Sequence, residues 1–189
     1  ENGRATAVQI RQKGSTRTIK ARGAIILAAG AFGSPQILQL SGIGPAQHLR
    51  EKSIHVVLDK GEVGSNLHDH IDYVAAFETT SKEFLGRTLT GNWRSLVATI
   101  QHIRKRTGPM TTPYAESGGF WRSSPDLRTP DIQFHFVPAP LEDHGRTKVT
   151  PHGFSCHACV LRPFSRGSVR LNSTDAVAVP AIDPGFLTD

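Results

Sequence analysis

The chain has 189 residues, of which 38% are apolar and 20% are charged, a composition typical of a globular protein with one sizeable core or two small ones. Its formal charge of +6 comes mostly from scattered Lys and Arg, and the basic cluster at 104–106 closes a predicted helix, so no nucleic-acid partner is expected. No apolar run reaches the roughly 18 residues that span a bilayer, and residues 1–4 do not resemble a signal peptide, which predicts a cytoplasmic protein, either free or peripheral to a membrane.

The first 60 residues predict short strands and short helices. Apolar and polar residues alternate over 4–10 and 16–22, around a turn-forming stretch at 13–15, which predicts a β-hairpin. The residues of the hairpin expected to face inward are Val8, Ile10, Ile19 and Ala21. The later elements predicted in this part are a helix at 45–52 with Leu49 facing inward and a strand at 54–58.

An apolar run, a glycine turn and a short helix follow one another after the hairpin. Residues 24–28 predict a core strand. Ser34 suits an N-cap, Pro35 suits the first helical position and Gly42 suits the residue after the last turn. A helix is therefore predicted at 35–41. A strand, a tight glycine turn and a helix are the arrangement in which α/β folds present their backbone to a cofactor.

The rest of the chain has the pattern of a sheet with one long helix. Residues 61–70 form a glycine-punctuated loop, and 92–107 carry apolar residues at helical spacing, whose stripe is expected to pack against protein. Strands are predicted at 118–121, 132–137, 154–161 and 168–171. Because few crossover helices separate these strands, the sheet is expected to be antiparallel.

Cys156 and Cys159 form an isolated C-x-x-C pair, with His152 and His157 nearby. Residues three apart in a strand face opposite sides of the sheet, so the two sulfur atoms are not expected to converge on a metal ion or to form a redox pair. We therefore predict ordinary buried or half-buried thiols and no metal site.

Several motifs resemble those of one family. Gly30, Ser34, Pro35 and the closing stretch 41–44 resemble the second signature of the glucose–methanol–choline (GMC) family of FAD-dependent oxidoreductases. Residues 63–70 resemble the V-G-x-N-L-x-D-H stretch of the same family. The further matching motifs lie at 108–109, 116–120, 130–133, 162–169 and 180–184. The resemblance covers essentially the whole chain and is closest to the choline dehydrogenase-like alcohol dehydrogenases.

The resemblance implies an α+β fold with two parts. A partial α/β segment of the FAD-binding domain is expected at 1–72, with an apolar face exposed, and a substrate-binding domain at 73–189, an antiparallel sheet backed by helices. FAD is the implied cofactor of the full-length protein, and the candidate residues for binding it are Ala29, Gly30, Ser34, Asn66, Asp69 and His70. For His70, a structural role in the loop is favoured over that of a base.

The resemblance also implies a small alcohol as substrate, which is oxidised by hydride transfer to the flavin. The candidate substrate-binding residues are Glu116, Phe120, His135 and Phe136. Glu116 could face a cationic substrate such as choline, with neighbouring aromatic rings adding cation–π contacts, or it could be an exposed residue of a glycine-rich loop. His135 points away from its aromatic neighbours by alternation, so it could line a pocket or be an ordinary surface or helix-facing histidine.

Two parts of a complete enzyme of this family are missing from the sequence. It has no G-x-G-x-x-G turn for the FAD pyrophosphate, and the family's catalytic His lies beyond the matched part, so no catalytic residue is assigned. These 189 residues are therefore expected to be a middle piece that binds FAD weakly or not at all and does not turn over alcohols. The alternatives are a flavin-containing hydroxynitrile lyase of the same family and a non-catalytic, stand-alone binding module. The sequence does not specify the alcohol, the electron acceptor or the oligomeric state.

Overall fold

The computed structural model describes residues 3–81, 88–111, 115, 117–140 and 152–188. The chain forms two compact units, one made of Glu1–Asp69 with Phe164–Asp189 and the other of His70–Pro163. The second unit is shorter than the predicted domain at 73–189, because the strand Gly167–Arg170 pairs with the strand Ser65–Leu67 of the first unit.

Short strands and helices make up the first unit, and a sheet with one long helix makes up the second. In chain order the elements are β1 Ala7–Gln12, β2 Ser15–Lys20, α1 Gly30–Leu40, β3 Ile43–Gly44, α2 Ala46–Glu51, β4 Leu58–Asp59, β5 Ser65–Leu67, β6 Asp72–Glu78, α3 Leu89–Lys105, a 3₁₀ turn Pro109–Thr111, β7 Ser117–Trp121, β8 Ile132–Val137, β9 Gly153–Val160, β10 Gly167–Arg170 and β11 Ala181–Asp183. In the first unit, β1 and β2 form an antiparallel pair, β3 and β4 a parallel pair, and β11, β10 and β5 an antiparallel sheet in that order.

The predicted N-terminal hairpin is confirmed. Lys13 and Gly14 both have positive φ values, 49° and 79°, which is the geometry of a tight two-residue hairpin turn. Val8 lies opposite Ile19 across the hairpin, so these two apolar side chains share a face as predicted. Both remain exposed, however, so the prediction that they face inward is wrong.

The predicted core strand at 24–28 is wrong for the described structure. These residues have no strand partner among the described parts of the chain, and Ile26 is 88% exposed. A strand needs a neighbour to satisfy its backbone N–H and C=O groups, and an apolar run by itself supplies none. The exposed side chains here confirm the expectation that the first unit has an exposed apolar face.

Helix α1 begins at Gly30, more than one turn before the predicted start at residue 35. The predicted cap is therefore wrong: the Ser34 hydroxyl lies inside the helix and accepts a hydrogen bond from the Ala29 N–H at 3.0 Å. Pro35 also lies inside the helix rather than at its first position. The predicted end is confirmed, because Gly42 follows the last turn with a φ of +82°.

Helix α2 and the strand after it anchor the small core of the first unit. Leu49 is fully buried on α2, as predicted. Of the predicted strand at 54–58, only the end pairs as a strand, as β4 beside β3. The Val57 N–H donates to the Gly42 carbonyl oxygen at 2.8 Å, which brings the chain back against the end of α1.

An antiparallel sheet of order β6-β9-β8-β7 forms the second unit, which confirms the predicted sheet. Strands β7, β8 and β9 lie within one residue of their predicted bounds. Strand β6 was not predicted, and it pairs with β9 along its whole length. The predicted strand at 168–171 forms as β10, which belongs to the first unit.

Helix α3 confirms the predicted long helix, with a start three residues earlier than 92. Thr88 is its N-cap, and the Thr88 hydroxyl accepts a hydrogen bond from the Gly91 N–H at 3.0 Å. The expectation that its apolar stripe packs against protein is wrong in the described structure. The exposed apolar residues of α3 are Leu89, Trp93, Leu96, Val97, Ile100 and Ile103.

Candidate functional site

A cavity of about 370 Å³ opens in the first unit, where the start of α1 faces the loop around β5. Its lining residues are Ala31, Pro35, Gly64, Ser65, Asn66, Leu67, His68 and Val169. Ligand pockets commonly have volumes of about 300–1,000 Å³. The cavity is therefore large enough for a small molecule or for one part of a larger cofactor.

The loop before β5 is held tightly against β10. Gly64 has a φ of +74°, and a Cβ atom at this position would collide with the Val169 carbonyl oxygen and lie 2.7 Å from Gln39 Nε2. The Val169 N–H donates to the Gly64 oxygen at 2.7 Å, and the fully buried Gln39 side chain donates to the Val169 oxygen at 3.0 Å. Glycine is the residue that this close approach and positive φ require.

Two further side chains fix the same loop and β10. The Arg170 guanidinium donates to the Val63 carbonyl oxygen at 3.1 Å and to the Ser65 hydroxyl at 2.8 Å. His48 Nε2 accepts a hydrogen bond from the Leu171 N–H at 3.1 Å. Burial, followed by the positive charges of Arg170 and a neighbouring lysine, lowers the pKa of His48, which favours the neutral ring that this acceptor role needs.

Most of the predicted cofactor residues lie at this cavity or beside its lining residues in the sequence. Asn66 lines the cavity, and its own side chain is exposed. The predicted residues that flank the lining residues of α1 are Ala29, Gly30 and Ser34. Asp69 and His70 follow the lining stretch and are exposed, but they do not line the cavity.

The groups around the cavity suit a ligand that accepts hydrogen bonds. Gly30 has a φ of +77° and open space where a Cβ would lie, so the backbone at the start of α1 can be approached closely. Free N–H groups of a first helical turn and the carboxamide of Asn66 are donors for phosphate, carbonyl or ring-nitrogen atoms. FAD carries all three kinds of acceptor, so these residues fit one part of it.

The sheet of the second unit has two chemically different faces. On the polar face, His135 of β8 lies opposite His157 of β9, and Phe120 of β7 lies opposite Gln133 of β8. On the aromatic face, the ring of Phe154 stacks with Phe77 at 5.0 Å and packs against Phe136 at 5.5 Å between centroids.

The structure separates the predicted substrate-binding residues. Phe120 and His135 share the polar face, and Phe136 lies on the aromatic face, because neighbouring residues of a strand point to opposite sides. His135 and Phe136 thus point to opposite sides of β8, as the alternation in the sequence predicted. Glu116 lies outside the described residues.

A half-buried Asp–His pair lies on the polar face and was missed in the sequence. Asp72 Oδ2 lies 2.7 Å from His157 Nδ1. Asp72 Oδ1 and His157 Nε2 are buried and have no hydrogen-bond partner among the described residues. The available signal was an acidic residue directly before an apolar run at 73–77, but β6 had not been predicted, so nothing placed Asp72 beside β9.

The charge of Asp72 also affects a neighbouring thiol, that of Cys159. Cys159 is buried, and its Sγ lies 4.0 Å from Gln133 Oε1. Burial, and then the negative charge of Asp72, raises the pKa of the Cys159 thiol. Cys156 lies on the opposite face of β9, as the sequence predicted for the C-x-x-C pair. Within the described ranges, no three His, Cys, Asp or Glu side chains are grouped as metal ligands.

A second cavity, of about 470 Å³, lies at the end of β7. Its lining residues are Phe120, Trp121, Arg122, Ser123, Pro125 and Pro130. The Ser123 N–H and hydroxyl both donate to the Asp131 carboxylate, which lowers the pKa of that exposed carboxyl. The cavity therefore combines two aromatic rings with a guanidinium beside a turn that Asp131 fixes.

The comparisons with known proteins point to one family. Residues 1–72 match the family described as GMC oxidoreductase. The chain is 41% identical over 191 residues to an alcohol dehydrogenase (acceptor) of Pseudomonas putida, covering 100% of this chain and 35% of that protein. It is 40% identical over 188 residues to an oxygen-dependent choline dehydrogenase of Rhizobium etli, covering 100% of this chain and 34% of that protein. The chain thus spans about a third of the length of these relatives.

Solved structures share the fold. The crystal structure of a formate oxidase superimposes with a TM-score of 0.85 at 24% identity, covering 99% of this chain and 37% of that one. A pyridoxine 4-oxidase from Mesorbium loti gives a TM-score of 0.76 at 22% identity, covering 100% of this chain and 33% of that one. Among the helices that the structure describes, none is long and apolar enough to cross a membrane.

Proposed function

Because this chain belongs to the GMC oxidoreductase family, we propose that it is part of an FAD-dependent enzyme that oxidises a small primary alcohol, in the manner of a choline dehydrogenase. One observation carries the proposal. The family signature around α1 and the glycine loop at 63–70 are separate in sequence, and they meet at the same cavity, where Gly64 packs on Val169. Two family motifs that share one cavity are expected of a cofactor site.

In this proposal the first unit supplies part of the wall of the FAD site. The start of α1 offers the backbone N–H of Gly30 to the cofactor, and Asn66 offers its carboxamide. The hydrogen bond from the Ala29 N–H to the Ser34 hydroxyl holds this turn in place. Asp69 and His70, which follow the cavity-lining stretch 64–68, hold the end of the glycine loop. The cofactor, when bound, takes up the hydride from the alcohol carbon.

The second unit supplies the substrate site on the polar face of its sheet. His135 hydrogen-bonds the substrate hydroxyl, and Phe120 contacts the carbon skeleton or a cationic group through its ring face. Glu116 is assigned the attraction of a cationic group, on the strength of the family motif at 116–120. The Asp72–His157 pair lies on the same face and fixes the orientation of the imidazole opposite His135.

Two rival functions make different chemical demands. A hydroxynitrile lyase of the same family would bind flavin without any net reduction of it by substrate. A stand-alone binding module would bind an alcohol without flavin. We propose a cytoplasmic location, with peripheral attachment to a membrane as the alternative. The electron acceptor and the oligomeric state are not part of the proposal.

Anaerobic reduction of the bound flavin tests this function on the full-length protein. Addition of choline or of a straight-chain primary alcohol should bleach the oxidised flavin spectrum. His135→Ala should raise KM about tenfold or more, because one hydrogen bond to the substrate is lost. The matched control is His55→Ala, which removes an exposed histidine of the first unit and should leave KM unchanged.

Three outcomes would contradict the proposal. Flavin that stays oxidised with every alcohol would favour the lyase or the binding module. Equal effects of His135→Ala and His55→Ala would remove His135 from the substrate site. Equal losses on choline and on a neutral alcohol in Glu116→Gln would remove its cation-binding role.

A further inference from the structure

His48 of α2 holds the end of β10 through a hydrogen bond that only a neutral imidazole can make. Its Nε2 atom accepts from the Leu171 N–H at 3.1 Å, and Leu171 is only 3% exposed. A protonated imidazole carries hydrogen on both ring nitrogens and accepts no hydrogen bond. One proton on His48 therefore replaces this bond with two N–H donors that face each other.

The surroundings of His48 keep it neutral until the solution becomes acidic. The charged groups that act on its ring are Arg170 of β10 and Lys52 and Glu51 at the end of α2. Burial, followed by the two cations, lowers the pKa of His48, whereas Glu51 acts in the opposite direction. The imidazole therefore gains its proton only as the pH falls below the usual value of about 6.5.

The end of β10 that His48 holds is also the segment that holds the glycine loop at 63–70. The residue two positions before Leu171 is Val169, whose N–H donates to the Gly64 oxygen at 2.7 Å. Between them, the Arg170 guanidinium donates to the carbonyl oxygen of the residue before Gly64 at 3.1 Å. Because Gly64 lines the first cavity, a displacement of Leu171 reaches the cavity wall through its immediate neighbours in the chain.

We propose that His48 is a pH-dependent switch for the cofactor site, whose protonation releases Leu171, loosens β10 against the glycine loop and speeds the loss of FAD. The proton binds at Nε2, and the hydrogen bond from the Leu171 N–H is lost. The new positive charge also repels Arg170, which fixes the same loop. The link to FAD rests on the proposed function, whereas the release of β10 depends only on contacts within the first unit.

Hydrogen exchange of the full-length protein tests the release of β10. Exchange is measured by mass spectrometry at about pH 7.5 and about pH 5, with correction for the intrinsic pH dependence of amide exchange. Leu171 and the loop at 63–70 should lose about tenfold in protection at the lower pH, because a buried donor has lost its acceptor. His48→Gln keeps an acceptor that does not titrate, so its protection should be equal at both pH values. The matched control is His55→Gln, which changes an exposed histidine of the same unit and should behave as the wild type.

Flavin fluorescence tests the consequence for the cofactor. The rate of FAD release from the full-length holoprotein should rise about tenfold over the same pH interval in the wild type and in His55→Gln. In His48→Gln the rate should not depend on pH. His68 lines the cavity and is a second histidine that could respond to acid there, so His68→Gln should be measured as well and should keep the rise.

Four results would overturn the inference. Equal protection of Leu171 at both pH values in the wild type would show that His48 does not release β10, and this result needs no variant. A loss of protection that persists in His48→Gln would assign the switch to another group. A pH-dependent FAD release that His68→Gln abolishes and His48→Gln leaves intact would place the switch in the cavity wall. Loss of protection without faster FAD release would break the link between β10 and the cofactor. A full-length protein that binds no flavin would instead contradict the proposed function, and the exchange experiment would still decide the role of His48.

Discussion

Gly64 offers a sharp test of how the glycine loop at 63–70 is held against β10. Gly64→Ala adds one methyl group at a position with a φ of +74°, where it would collide with the Val169 carbonyl oxygen and press on Gln39 Nε2 and Arg170 Nη1, at 2.7 and 2.9 Å. Two separate costs apply. An alanine in the left-handed region costs about 1–2 kcal/mol, and overpacking of a tight site costs about 1–3 kcal/mol more. Gly64→Ala should therefore lower the free energy of unfolding by about 2–5 kcal/mol.

Two further glycine substitutions separate these costs. Gly30→Ala has the positive φ of +77° but open space around the new methyl group, so it should show only the conformational cost of about 1–2 kcal/mol. Gly61→Ala has open space and no positive φ, so it should leave stability unchanged or raise it by about 0.4–1 kcal/mol. Urea unfolding followed by circular dichroism measures all three variants under one condition.

The order of the three free energies of unfolding shows whether the contact between Gly64 and Val169 constrains the loop. If Gly64→Ala costs no more than Gly30→Ala, the loop moves freely away from β10 and the close packing described here does not constrain it. If Gly61→Ala costs as much as Gly64→Ala, the loop is sensitive to any side chain, and the contact with Val169 is not the cause. In the full-length protein, Gly64→Ala should also weaken FAD retention, since the loop that it displaces lines the cavity.

Three other measurements test the electrostatics of the two units. Because the pKa of His48 is lowered in the folded state, its contribution to stability is present above the usual value of about 6.5 and is lost as the pH falls through the lowered pKa. His48→Gln retains an acceptor for the Leu171 N–H and should flatten this part of the plot of melting temperature against pH. An unchanged plot would contradict this role of His48. Ser123→Ala should raise the pKa of Asp131 towards its usual range in a carbon-13 NMR titration, whereas Ser124→Ala, which removes a hydroxyl bonded elsewhere, should not. Cys159 should react with Ellman's reagent at least about tenfold more slowly than Cys156. Asp72→Asn should lower the pKa of Cys159 and so reduce the difference between the two reaction rates.

Local patterns predicted the elements that depend on local interactions. The hairpin follows from a glycine turn, the body of α3 from helical spacing, and the end of α1 from Gly42, which adopts a positive φ. Strand β8 follows from strict alternation over 132–137. The family motifs around α1 and at 63–70 likewise identified the two segments that meet at the first cavity.

The predictions failed where the outcome depends on partners distant in sequence. The run at 24–28 has strand composition, but strand formation needs a neighbour, and none of the described segments supplies one. Ser34 and Pro35 have the right chemistry to start a helix, yet the chain turns helical at Gly30 and uses Ser34 to hold Ala29. Alternation correctly placed His135 and Phe136 on opposite sides of β8, but the residues of β7 and β9 that share each side follow only from the register of the three strands.

The sequence by itself indicated the family, the antiparallel sheet and the two segments that meet at the first cavity, because turn residues, alternation and motifs are local properties of the chain. Tertiary structure alone decided that β10 joins β5, that Asp72 meets His157, and that α3 turns its apolar side outward. In the first two cases the contacting residues are 85 or more positions apart in the chain, as in the hydrogen bonds between Asp72 and His157 and between Ser65 and Arg170. A linear pattern records which side chains are apolar or charged, but the surface that each one meets is fixed only when the distant segments pack.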